Sequence, residues 1–139
     1  MAHFAQLDGD NIVLQVIVVD DSDCLDSNGN FSETIGEHFC ESLLGENTIW
    51  KRTSYNTYKG EHRLGETPFR KNYAELGMKY DSIRDAFYYA NQPYPSWSFN
   101  ESTFHWEPPI ADPNTFDEVY EWNEDAYQAD NSTGWIKVE

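Results

Sequence analysis

Basic residues are scarce in this chain. Nine Lys and Arg stand against 25 Asp and Glu in 139 residues, for a formal net charge of −16. Such an acidic exterior repels nucleic acid and resists non-specific adhesion. Cysteine is also scarce: Cys24 and Cys40 are the only two. They form no pattern that marks a disulfide framework, so free thiols in a reducing compartment are expected. No apolar run approaches the ~20 residues of a transmembrane helix. The N-terminus lacks a basic segment followed by an apolar core, so neither a secretory signal nor a membrane partner is expected. His3, His38, His62 and His105 stand singly, without the spacings of zinc ligands. No local motif joins a Ser or Cys to a histidine and an acid. The expectation is a protein with no catalytic residues, no cofactor and no metal.

Aromatic rings are plentiful, at 16% of the chain. From Tyr80 onward one arrangement recurs: two aromatics face each other across a short polar turn. Its copies are Tyr80 to Phe87, Trp97 to Trp106, and Tyr120 to Tyr127. In the middle copy, a register pairing Phe99 with Phe104 also pairs Trp97 with Trp106 and places four rings on one face. Cross-strand aromatic pairs contribute roughly 0.2–1 kcal/mol each and help to fix register. Rings such as Trp97, Trp106, Trp122 and Trp135 can stack on sugars, but their large apolar area favours core packing. Pro93, Pro95, Pro108, Pro109 and Pro113 separate the copies and cannot donate ladder hydrogen bonds. The pattern reads as an α+β body over 1–92 and a proline-spaced arm of hairpins over 93–139. A single domain remains an alternative.

The body begins with His3–Leu7 and Ile12–Val19 flanking Asp8-Gly-Asp-Asn11, a hairpin pattern. The second run is apolar on both faces, which predicts a central strand. Ser32 is placed to cap a helix, with Phe31 just before it and Glu33 in its first turn. Ile35, Phe39, Cys40 and Leu43 follow helical spacing, and Gly45 ends the pattern in a left-handed conformation. This is the only helix expected, with its stripe packed on the hairpin. Thr48–Tyr55 reads as a strand and residues 56–68 as a loop. The fold class is therefore α+β, mostly β, built of antiparallel hairpins.

Asp26 to Glu37 partly imitates a calcium loop but has Phe31 where the sharp turn needs glycine, so no calcium site is assigned. The triplets at Asn30, Asn100 and Asn131 match the glycosylation pattern and are read as turn chemistry. Eight of the nine basic residues fall within 51–84, between two acidic segments. Lys51, Arg52, Arg70, Lys71 and Arg84 are expected to face carboxylates of the chain itself or of a partner. The candidate partner-binding residues are Arg70, Lys71, Trp97, Phe99, Trp106, Trp122 and Tyr127.

Several short blocks occur in a characteristic order. They are the opening Met-Ala-His-Phe-Ala5, Trp50-Lys-Arg-Thr-Ser-Tyr-Asn-Thr57, Phe69-Arg-Lys-Asn-Tyr-Ala74 and Tyr80-Asp-Ser-Ile-Arg-Asp-Ala-Phe87, followed by Pro93-Tyr-Pro-Ser-Trp97, Asn100-Glu-Ser-Thr103 and Trp106-Glu-Pro-Pro109. In these the chain resembles a family of small virion-associated proteins of marine tailed phages, cyanophages and their relatives. After Ala74 the chain reads Glu-Leu-Gly77-Met, where relatives look more glycine-rich, so a different turn is expected there. The resemblance implies a non-catalytic virion structural protein docked on the particle exterior, as capsid decoration, cement or accessory protein. The alternative is a tail- or tail-fibre-associated protein that binds glycans or a receptor through its hairpin aromatics. Implied partners are other phage structural proteins of capsid or tail, with the chain homo-oligomeric or multicopy on the particle. The implied location is the virion, after synthesis in the host cytoplasm.

Overall fold

A computed structural model describes all residues, Met1–Glu139. Strands β1 (Ala2–Leu7) and β2 (Val13–Val19) pair antiparallel, with Phe4 opposite Ile17. Asp8 builds the turn between them: its Oδ1 accepts from the backbone N–H of Asp10 at 2.8 Å and of Ile12 at 3.0 Å. A 3-10 turn (Asp21–Cys24) leads to helix α1 (Glu33–Leu44) and then to β3 (Ile49–Thr53). β3 pairs with the other side of β1, so the sheet order is β2-β1-β3. The strand expected at the centre, 12–19, is therefore an edge, and β1 is central. The expectation fails because both faces of the sheet are covered, which makes even an edge strand apolar on both sides.

Successive residues of β1 point to opposite faces and feed two cores. One face carries Phe4, Val19 and Trp50 against Cys24 of the 3-10 turn and Cys40 of α1, with Ile17, Phe31 and Phe39 at its margin. Both cysteines are buried free thiols. The other face carries Ala5, Leu7 and Val13 against Ala74, Met78, Tyr80 and Phe87. Ser32 caps α1 as its position requires, Oγ accepting from Ile35 N–H at 3.3 Å. Gly45 ends the helix at φ +126°, its N–H donating to Glu41 O at 2.8 Å. This is positive φ but not the left-handed helical region that was expected. The buried face of α1 is Gly36 and Cys40, while Phe39 is half-buried and Leu43 exposed. The stripe is thus rotated toward its smallest residue, which lets the helix settle onto Phe4.

Residues 56–68 hold a minimal hairpin, β4 (Thr57–Tyr58) with β5 (Glu61–His62). The first aromatic copy forms as read: β6 (Lys79–Asp81) pairs with β7 (Ala86–Tyr88), and the rings of Tyr80 and Phe87 lie 5.1 Å apart. The chain divides into two compact units, one of residues 1–90 with 101–105, the other of 91–100 with 106–139. β8 (Ser98–Asn100) and β9 (His105–Glu107) form a two-stranded sheet whose turn is Glu101 to Phe104. Phe99 packs on Trp106, with ring centroids 5.1 Å apart. Phe104, at φ +54°, is buried in the first unit against Tyr88. The turn thus lies one residue later than the pairing of Phe99 with Phe104 requires, an offset of two residues between the strands.

The third copy, unlike the first two, is not a hairpin. β10 (Tyr120–Trp122) is followed by a second helix, α2 (Glu124–Ala129), and then by β11 (Trp135–Lys137), with Trp122 opposite Trp135. Asn123 caps α2 by accepting from Ala126 N–H at 2.9 Å. The fold class is α+β, mostly β, in small antiparallel sheets with one main helix. No helix is long and apolar enough to cross a membrane.

Candidate functional site

The basic segment is largely turned inward. Arg70 adopts φ +54° and Lys71 φ +66°, a backbone course that non-glycine residues rarely take. It aims the nearly buried Arg70 guanidinium at Glu33, with Nη1 on Oε1 and Nη2 3.1 Å from Oε2. Arg70 Nε also donates to Asp85 at 2.8 Å, and Nη1 donates to Arg52 O at 2.8 Å. Burial alone would lower the Arg70 pKa, but the hydrogen bonds and charge of Glu33, with Asp85, outweigh it and raise it. Asp85 also accepts the Tyr80 hydroxyl, whose pKa burial and this bond push up to about 12. Lys51 lies 3.7 Å from Glu37, and Arg84 lies 3.3 Å from Asp81 and 3.4 Å from Glu101. Arg52 instead lies over the rings of Phe31 at 4.1 Å and Phe69 at 5.3 Å. Lys71 donates to the carbonyl of Ser102 at 3.2 Å. Of the five cations expected to face carboxylates, Lys51, Arg70 and Arg84 meet the chain's own. Arg70, expected at a partner surface, is an internal clamp.

Beside that clamp lies a buried polar group that sequence reasoning did not single out. The Asn72 Nδ2 donates to the carbonyls of Phe87 at 3.0 Å, Thr103 at 3.3 Å and Phe104 at 3.3 Å. Its Oδ1 accepts from Lys59 N–H at 2.9 Å and lies 2.8 Å from His105 Nε2. Lys59 N–H can only donate, which fixes the orientation of the amide. Asn72 thereby holds the 101–105 tip in the first unit. Its only sequence signal is its place within the Phe69–Ala74 block.

In the second unit the expected binding rings mostly contact one another. Trp97 lies 5.4 Å from Tyr94, 5.9 Å from Trp122 and 6.2 Å from Trp135. Trp122 also meets Trp135 at 5.3 Å and Tyr127 at 5.4 Å. A Cβ at Gly134 would fall 2.5 Å from the Trp122 ring, so only glycine allows this approach. Glu124 ties the cluster together, accepting from Ser96 Oγ, from Trp122 Nε1 at 3.2 Å and from Gln128 at 3.1 Å. Trp97, Trp122 and Tyr127 are thus brought together as a small core, and Phe99 packs on Trp106.

No family model, curated protein or solved structure matches the chain.

Several apolar side chains that reach far out sit on turns. Ile83 is 95% exposed and Phe116 101%. Asp81 Oδ1 fixes the first turn, accepting from Ile83 N–H at 2.9 Å and Arg84 N–H at 3.0 Å. These backbone hydrogen bonds, chiefly that of Arg84, lower the Asp81 pKa. Thr115 and Glu118 fix the second turn: Thr115 N–H donates to Glu118 O at 2.9 Å, and Glu118 N–H to Thr115 Oγ1 at 3.1 Å. Leu64 and Leu76 are likewise exposed, on turns that include Gly65 at φ +77° and Gly77 at φ +88°. Chemically, such an arrangement offers fixed apolar contacts on an acidic exterior.

Proposed function

We propose that this protein is a non-catalytic structural protein of a phage particle, docked on the particle exterior as a decoration or accessory component. The observation that carries the reading is the full exposure of Ile83 and Phe116 on turns whose backbones are already hydrogen-bonded. A lone exposed apolar residue is ordinary on a protein surface. A bulky one at the tip of a braced turn is placed to enter a pocket with little further ordering of the chain. Interfaces draw most of their affinity from a few such buried anchors. The −16 net charge supports the same reading, because it keeps free copies apart until an apolar contact holds them. The phage setting rests on the sequence blocks from Met1 to Pro109.

The alternative of glycan binding through the hairpin aromatics is weaker, since Trp97, Trp122 and Tyr127 largely spend their ring faces on one another. Mass spectrometry of purified particles of the encoding phage tests the choice. Tens to hundreds of copies per particle are expected. A few copies would favour the tail reading, and absence from particles would overturn both. Hydrolysis of a host polysaccharide by the pure protein would overturn the non-catalytic reading.

A further inference from the structure

The three-stranded sheet has two outer edges, and the chain treats them differently. On β3, Arg52 N–H donates to Glu33 Oε1 at 2.8 Å and Arg52 O accepts from Arg70 Nη1 at 2.8 Å. An ion pair thus takes the place of a neighbouring strand. On β2 the first residues are covered by the segment leading into β6. Tyr80 N–H donates to Asn11 O at 2.9 Å, Val13 N–H to Met78 O at 2.8 Å, and Gly77 N–H to Val13 O at 2.9 Å. Beyond Val13 this cover ends, and Leu14–Val19 has β1 on one side and no strand on the other. Leu14 is 45% exposed and Val18 54%. An open edge is usually blunted by charge, proline or a covering element. From Asn11 to Val19 the chain has no charged residue, no proline and no glycine.

We propose that the outer edge of β2, Leu14–Val19, is a strand-addition site for an extended segment of a partner protein, apolar at alternate positions and basic at its ends. Added strands gain affinity from backbone hydrogen bonds and specificity from alternate side chains. Here Val16 and Val18 would meet such a strand on the hairpin side of the sheet, and Ile17 on the helix side. The basic ends follow from the flanks. Asp8 and Asp10 stand before the open stretch, and Asp20, Asp21 and Asp23 after it. A second copy of this chain fits poorly, because antiparallel pairing of two β2 edges sets the Asp10 end of each against the Asp20 end of the other. A strand with Lys or Arg at both ends turns that repulsion into attraction. Strand addition at this edge does not depend on the protein's belonging to a particle.

The test uses the full chain and a nine-residue synthetic peptide of alternating Val and Thr with a lysine at each end. Amide hydrogen exchange should slow at alternate residues of 14–19 when this peptide binds. The same peptide with glutamate ends should bind at least tenfold more weakly. That gap should narrow in 1 M salt, where the screening length falls to ~3 Å. Leu14→Lys with Val18→Lys, in a variant whose circular dichroism is unchanged, should weaken binding at least tenfold. Backbone methylation of the peptide at alternate nitrogens separates strand addition from loose charge attraction, since only the former is lost. No binding, protection elsewhere than 14–19, equal binding of the two peptides, or sedimentation as a dimer through this edge would overturn the proposal.

Discussion

At Gly36 the helix lies close against the sheet: a Cβ built there falls 2.3 Å from Phe4 Cζ and 3.0 Å from Cys24 Sγ. Alanine would gain about 1 kcal/mol in helix propensity, whereas overpacking a tight core costs about 1–3 kcal/mol. Because the clash is with a fully buried ring, packing should win. Gly36→Ala is expected to lower stability by up to about 2 kcal/mol in urea unfolding; higher stability would mean that α1 can back away from Phe4. Asn72 acts by satisfaction of hydrogen bonds. Its removal leaves the carbonyls of Phe87, Thr103 and Phe104 and the N–H of Lys59 without that partner. Each buried unsatisfied group costs about 1–3 kcal/mol. Asn72→Ala should therefore cost about 4 kcal/mol or more, and Asn72→Asp more still, since a carboxylate would face those carbonyls without a donor. An Asn72→Asp variant as stable as the parent in thermal unfolding would show that the amide contacts are not made.

Ring pairs set the behaviour of the small sheets. Phe99→Ala and Trp106→Ala are expected to couple by about 0.5–1 kcal/mol in a double-mutant cycle, and Trp97→Ala with Trp122→Ala similarly. Coupling of Trp97 with Trp106, and none between Phe99 and Trp106, would restore the pairing expected from the sequence. Local signals were legible in the sequence: the Asp8 turn, the Ser32 cap and the Tyr80 and Phe87 pair each depend on neighbours within a few residues. Asn123-Glu-Asp was not, because it serves equally as a hairpin turn or a helix cap, and the outcome rests on where Trp135 pairs. The edge position of β2 was hidden because residues 77–87 cover a second face of the sheet. Hydrophobic spacing could not point to Gly36, since a face led by glycine carries no apolar mark. At the candidate site, the charges of 51–84 were legible but their partners were not. Arg70 finds Glu33 at a sequence separation of 37. Exposure of Ile83 and Phe116 follows from turn direction, which residue identity does not encode.

Across the whole molecule, alkali should weaken the fold. Two of the nine tyrosines are held well above the ordinary value of 10: Tyr80 by burial and Asp85, and Tyr89 by its hydrogen bond to Glu75, both to about 12. A folded-state pKa above the unfolded one means that the protonated phenol favours the fold. That contribution is complete below pH 10 and is lost as pH rises from 10 toward 12. Ultraviolet titration of the folded protein should show at least two late tyrosines, with Tyr80→Phe removing one. Uniform titration near pH 10 would show that these hydrogen bonds are not kept. The clamp on residues 101–105 has a consequence for synthesis. The first unit lacks part of its core until His105 has been made, 15 residues after Ala90. At 5–20 residues per second a ribosome needs about 1–3 s for that stretch. During that interval the Asn72 amide has no carbonyl of Thr103 or Phe104 to meet. A stop codon after residue 92 would therefore yield an open, protease-sensitive fragment, so the gene cannot be shortened to its first unit.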